Sequence, residues 1–327
     1  MFASRLTIGY ESFYSYASNQ MLRYTLKRIA FGLLSLWVII TITFALMHAI
    51  PGGPFDMDTV EKMNKAVREN LEAKFGLDRP LVEQYFLYLG NLAKGELGVS
   101  IQYAPRTVNQ IVAIRVPASA QVGVFGLVLG LVGGVGLGVL AALKHEKWQD
   151  QTVKILSTVG IAVPSFVLAT FLIYFFSVRL GWFRTFGLRD LRDMVLPAVA
   201  LAGGSIAFLS RLTRSSLLNV IRQDYVRTAK AKGLSRTTVI YKHAFKSALL
   251  PIITYVGPMV AAMLTGSFVI EKIFAIPGIG GEMVKAIGNR DYMMILGLTS
   301  IYSAVLVVVF ILVDIVYALV DPRVKFE

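Results

Sequence analysis

Six long apolar runs, nearly free of charge, are separated by loops that hold almost all the lysine, arginine, aspartate and glutamate. Each run can cross ~30 Å of hydrocarbon as a helix rising ~1.5 Å per residue. Unpaired backbone groups are too costly in that layer, so a span must be a helix or part of a closed barrel, and runs this long are helices. They are expected at Ile29–Ile50, Ala118–Leu143, Val153–Val178, Met194–Leu212, Leu249–Ile270 and Met294–Val320. The fold class is therefore an all-α polytopic membrane protein with six transmembrane helices. Only 16% of the 327 residues are charged, against roughly 25% in a soluble domain, and 55% are hydrophobic. The same balance excludes disorder.

The net charge of +13 is placed by topology. The segment Thr213–Ala248 holds eight Lys and Arg. The positive-inside rule puts that loop and both termini in the cytoplasm, facing anionic lipid, so the basic excess does not call for nucleic acid. The expected organisation is a cytoplasmic segment 1–28, a first helix 29–50 and a helical extracytoplasmic loop 51–117. A five-helix core 118–320, with the cytoplasmic loop 213–248 inside it, and a cytoplasmic tail 321–327 complete it. Met1–Gln20 lacks clear periodicity, and the fold is expected to begin near Met21.

Catalysis finds little footing. The chain has no cysteine, and His48, His145 and His243 are widely spaced, so no metal centre is expected. No GxxxxGK[ST], HExxH or GxSxG motif and no Ser/His/Asp set occurs. The Gly134–Gly138 GxGxG lies mid-span with no strand before it and is not a nucleotide loop.

Within the spans, Gly126, Gly130, Gly134 and Gly138 recur every four residues along one face, where another helix backbone can approach closely. Pro164, Pro251 and Pro258 are expected to interrupt spans, either as hinges or as the prolines common in membrane helices. Asp314 is the one acidic residue deep in an expected span, where a structural bond is favoured over ion coupling. His48, near the outer end of the first span, is expected to reach toward water.

Two helices are expected in the outer loop. Asp58 and Glu61 form a capping-box-like start to a stripe of Val60, Met63, Val67 and Leu71 that stops near Gly76. Pro80 opens a second helix through Leu81, Tyr85, Tyr88 and Leu92 to Gly95. They can cover a pore mouth, receive a partner or pack on the spans.

The cytoplasmic loop reads as cap, helix, glycine, cap. Asp224 is the expected N-cap, Tyr225–Lys232 the helix and Gly233 its C′ residue, with Lys230 and Lys232 in the last turn. Ser235 caps a second helix running toward Ser247. A helix of two turns is marginal alone in water, so it is built to dock. Tyr225, Val226 and Ala229, with basic neighbours, would suit a cleft on a cytoplasmic partner.

Here the chain resembles the inner-membrane permease subunits of ATP-binding-cassette importers, whose loop motif is Glu-Ala-Ala, three residues, Gly. The corresponding run is Arg227-Thr228-Ala229 with Gly233; the Glu and first Ala of the general pattern are absent. DYVRTAKAKGLSRTTVIYKHAFKSALLP is similar to the oligopeptide and dipeptide branch. YTLKRI, HAIPGGP, AKFGLDRPLVEQY, GELGVS, VPSF and EKIFAIPGIGGEMVKAIGNRDY follow in family order from Met21 onward. IPGGPF and the long outer loop resemble the first of the two oligopeptide permease subunits.

The resemblance implies a coupling helix, Asp224–Gly233, seated in a groove of an ATPase subunit. It implies a second homologous permease, two cytoplasmic ATP-binding subunits, an extracytoplasmic binding protein and a peptide substrate, in a bacterial cytoplasmic (inner) membrane. ATP and Mg belong to the partner subunits, and none is expected in this chain. The rival is an ion-coupled secondary transporter, favoured by proline-broken spans and opposed by the scarcity of intramembrane charge.

Overall fold

A computed structural model describes residues 3–55 and 65–320, with side chains for 25–55, 69–264 and 268–317. Helices α1 (Ala3–Ala49), α4 (Val108–Leu143), α7 (Val195–Ile221), α9 (Leu250–Ile273) and α11 (Tyr292–Val320) contain the five unbroken apolar segments. A bent pair, α5 (Trp148–Ala162) and α6 (Ser165–Leu172, continued by a π-helical turn Ile173–Arg179), makes six if counted as one span. Among the described residues the only extended pairing is one isolated bridge, Val99 with Thr107.

Several boundaries differ from the sequence reading. Helix α1 continues back to Ala3, so residues 3–20, expected to precede the fold, extend the first span as helix. Helix α4 begins ten residues before the expected span start at Ala118 and runs through Pro117. Thr107 caps it, accepting from the Gln110 amide, while the Gln110 side chain accepts from the Thr107 amide. Val108 and Ile111 are buried against Leu97, Met294 and Leu298, and that burial holds the first turns despite the donor missing at Pro117. Helix α7 likewise runs to Ile221, taking residues 213–221 out of the expected loop.

The prolines behave in three ways. At Pro164 the chain breaks, and α5 and α6 meet at 107°. Pro258 lies inside α9, which stays continuous. Pro251 interrupts nothing: it sits in the first turn of α9, where an N–H would have no partner within that helix.

The core lies along α4 and α7. Gly126 faces Leu201, Gly130 faces Met259 on α9, Gly134 faces Leu209 and Gly138 faces Thr213 and the Ser210 carbonyl. All four glycines are buried. Around them pack Val122, Leu201, Leu209, Met259, Met263 and Ile270. Helix α1 lies on α11, where Arg28 Nε pairs with Asp314 Oδ2 at 3.2 Å. That pairing gives Asp314 a structural partner.

In the outer loop, Asp58, Val60, Glu61 and Met63 lie outside the described residues, as does the Val67 side chain; helix α2 (Lys65–Phe75) stops at Gly76. Helix α3 (Leu81–Ala93) packs on the spans: Tyr88 is buried with its hydroxyl 3.0 Å from Ser300, and Tyr85 meets Thr41 at 2.6 Å. Burial pushes the Tyr88 phenol upward. His48 does not reach outward. Its ring packs between Phe44 and Tyr292, with Nδ1 2.9 Å from the Phe44 carbonyl.

Candidate coupling site

At the far end of α4 from the outer loop, some 54 Å away for 36 residues at ~1.5 Å each, lies helix α8 (Asp224–Ala231). Its N-cap is Gln223, in extended conformation and without a side-chain cap bond; Asp224, expected to cap, is instead the first helical residue. The carboxylate still sits in the first turn, where it favours the helix dipole, and it pairs with Arg227 at 3.6 Å. Lys232 closes the helix and Gly233 follows with φ +78°. That left-handed geometry costs glycine nothing.

The faces of α8 are sorted differently from the sequence reading. Val226 and Ala229, expected to face a partner, are buried against Leu217, Val220, Val239, Ala244 and the α4 end at Ala142. The two buried residues stand three apart on an eight-residue helix, so they define its inner side and seat it on the bundle. What remains exposed is Asp224, Tyr225, Arg227, Thr228, Lys230, Ala231, Lys232 and Gly233, a face dominated by positive charge. Tyr225 donates to Ser247 Oγ at 3.2 Å, tying this face to the returning chain.

Ser235 accepts from the Thr238 amide at 3.3 Å. Beyond it the expected second helix is mixed: a short α turn at Arg236–Thr238, π geometry at Val239–Ala244 and α again at Phe245–Ala248. Putting an aspartate at Val226 should bury an unpaired carboxylate at a cost of about 3 kcal/mol. Limited trypsin digestion of the membrane-inserted subunit is then expected to cut the Arg- and Lys-rich loop faster than in the native chain.

Buried charge marks further sites that sequence reasoning missed. Asp150, at the start of α5, is fully buried and accepts two bonds from Arg214 of α7, Nε at 2.5 Å and Nη2 at 2.8 Å. At the opposite end of the bundle, Glu271 accepts from Ser119 at 2.6 Å and from the Gly280 amide at 2.9 Å, at the start of α10 (Ile279–Gly288). Glu282 of α10 holds Arg115 at 3.2 Å and Tyr103 at 2.9 Å, and Asp291 accepts from Ser100 and from the Gln102 amide. Burial, then the Glu282 carboxylate, raises the Tyr103 phenol. These acids lie in loops or helix ends, where sequence gives no sign of which carboxylates become buried.

A cavity of about 280 Å³ lies between α4, α9 and α11, lined by Val124, Leu127, Met263, Leu264, Tyr302 and Val305 among others. Its walls are almost wholly apolar.

Up to six apolar spans, counting the bent pair as one, and a small seated helix carrying basic charge at one end describe a multi-pass membrane protein. Residues 134–326 match the family described as binding-protein-dependent transport system inner membrane component, and residues 21–107 match the N-terminal part of such membrane components. The chain belongs to this family, and it is a permease subunit. It is 46% identical to the dipeptide transport system permease protein DppB of Bacillus subtilis, over 94% of this chain and 99% of that protein. It is 40% identical to the oligopeptide transport system permease protein OppB of Salmonella typhimurium, over 94% of this chain and all of that protein. In fold it is similar to a chain of the MetNI methionine ABC transporter in an inward-facing conformation, with a TM-score of 0.54, 18% identity and coverage of 65% of this chain and 97% of that one. The secondary-transporter alternative is thereby set aside.

Proposed function

We propose that this subunit forms half of the translocation pathway of an ATP-driven peptide importer in the bacterial inner membrane. A second, homologous permease completes the pathway, two cytoplasmic ATP-binding subunits drive it and an extracytoplasmic binding protein delivers the peptide. In this reading both termini face the cytoplasm, and the exposed face of α8 docks into the ATPase. The observation that carries the reading is the sorting of α8: its apolar side is used up inside the bundle, and its charged side is left outward. The names of the two close relatives support peptides as substrate.

In this reading the residues of α8 divide the work. Val226 and Ala229 anchor the helix, Tyr225 and Arg227 offer contacts, and Lys230 and Lys232 add attraction that fades with salt. ATP-driven closure of the ATPase pair would push on α8 and tilt the spans between outward and inward openings.

Proteoliposomes holding the four membrane-associated subunits test this. With binding protein outside and ATP inside, a labelled peptide is expected to accumulate and to keep accumulating after an uncoupler is added. Uptake abolished by collapsing the ion gradient, or uptake by this chain alone, would overturn it. Reversing charge with Arg227→Glu and Lys230→Glu together is expected to weaken ATPase co-purification by about tenfold, the loss of about 1.4 kcal/mol. Unchanged co-purification would remove α8 from the interface.

A further inference from the structure

The lower half of the broken span is joined to α7 by polar bonds, and the upper half is not. Asp150 receives both arms of the Arg214 guanidinium, the Glu146 amide at 2.9 Å and Lys154 Nζ at 3.5 Å. One to two turns further along, Ser157 and Ser210 hydroxyls meet at 2.7 Å, and Arg211 donates to Thr158 at 2.9 Å. Gly160 then lets the helices close, with Ala207 directly opposite. Beyond the 107° bend at Pro164 the contacts turn apolar: Leu168 lies on Gly203, and Ala169 is buried in the core.

The two kinds of seam resist motion differently. A forked arginine–carboxylate pair has one register, whereas apolar surfaces of similar shape can slide by small amounts. Well-packed apolar residues in place of such a buried pair are often equally stable, so stability alone is a weak reason for charge at this place. Helix α7 leads through only Arg222 and Gln223 into α8, and α8 is seated on α7 at Leu217 and Val220. A displacement of α8 is therefore passed directly to α7, as well as to residues 239–244 and the α4 end at Ala142.

We infer that Asp150 and Arg214 are positioning residues that lock α5 to α7, so that α5, α7 and the docking helix move together and the motion is taken up at the Pro164 bend. This rests on the docking role proposed above. The pair touches no substrate: it sets which half of the broken span follows the ATPase.

The absence of cysteine in this chain allows paired spin labels to be introduced without background from it, the partner subunits being used in cysteine-free form. Labels go at the exposed positions Thr152 on α5, Ser215 on α7 and Thr170 on α6, in the complete transporter in proteoliposomes. Addition of ATP is expected to leave the Thr152-to-Ser215 distance unchanged and to shift Thr152-to-Thr170. With Asp150→Asn the first distance should also move, and peptide transported per ATP hydrolysed should fall by about tenfold, within the usual range for coupled sites. Because this variant leaves Arg214 unpaired, Asp150→Leu with Arg214→Met serves beside it, removing both charges while keeping the seam apolar and packed.

If the double variant inserts normally and retains both the fixed distance and the native transport-to-ATP ratio, the lock is overturned. Movement between α5 and α7 in the native transporter would overturn it equally. Failure of the docking reading is separate, since it appears as undiminished ATPase binding in the Arg227→Glu, Lys230→Glu variant whatever the state of the pair.

Discussion

Leucine at Gly138 is expected to keep α4 and α7 from closing and to remove the folded subunit from the membrane. A Cβ built there stands 2.5 Å from Thr213 Cβ and 2.6 Å from the Ser210 carbonyl oxygen. The obstacle is partly backbone, which cannot turn aside as a side-chain end can. Overpacking ordinarily costs about 1–3 kcal/mol, so alanine should fall in that range and leucine above it. At Gly136, on the same helix, nothing lies within 4 Å of an added Cβ, and Gly136→Leu should be nearly silent. Size-exclusion of detergent extracts compares the two. Equal yields of monodisperse subunit would show that the glycine stripe does not set the helix separation.

Isoleucine at Gly233 is expected to leave insertion intact but to uncouple ATP hydrolysis from transport. Here space is not the issue, for nothing lies within 4 Å of an added Cβ. The strain is in the backbone: φ is +78°, and an L-residue held there costs roughly 1–2 kcal/mol, more with a β-branch. An eight-residue helix has little reserve to absorb that. Asparagine tolerates left-handed geometry, so Gly233→Asn should couple almost normally. In proteoliposomes, transport per ATP should fall about tenfold for isoleucine and little for asparagine, matching ~1.4 kcal/mol of difference. If the two variants transport alike, the left-handed stop is unimportant to force transfer.

Particular elements show how far the chain could be read unfolded. The membrane spans were legible because a bilayer imposes length and apolarity on each span independently of its neighbours. Gly233 was legible too, since a C′ glycine after a basic last turn is a local signal, and the structure places it in left-handed geometry. Helix ends were less so. Pro117 reads locally as the close of a loop, yet burial of Val108 and Ile111 on Met294 and Leu298 carries α4 past it. Val226 and Ala229 are not placed by pattern alone, because the sequence of α8 shows one apolar side without saying what covers it.

The deepest omission was electrostatic. Asp150 and Arg214 stand 64 residues apart, and neither has a local pattern that names the other. Glu271 and Ser119 are likewise separated by 152 residues. A buried charge is bearable only where its partners converge, and convergence is a property of packing.

From the sequence alone came the membrane habitat, the apolar spans, the basic loop at 213–248 and the resemblance that led to the permease family, because hydropathy, charge and turn chemistry act along the chain. Tertiary structure decided which side of α8 faces outward, which proline bends its span and which acids are held by which bases. Those outcomes depend on surfaces brought together from distant segments, and contact energies there override local preference.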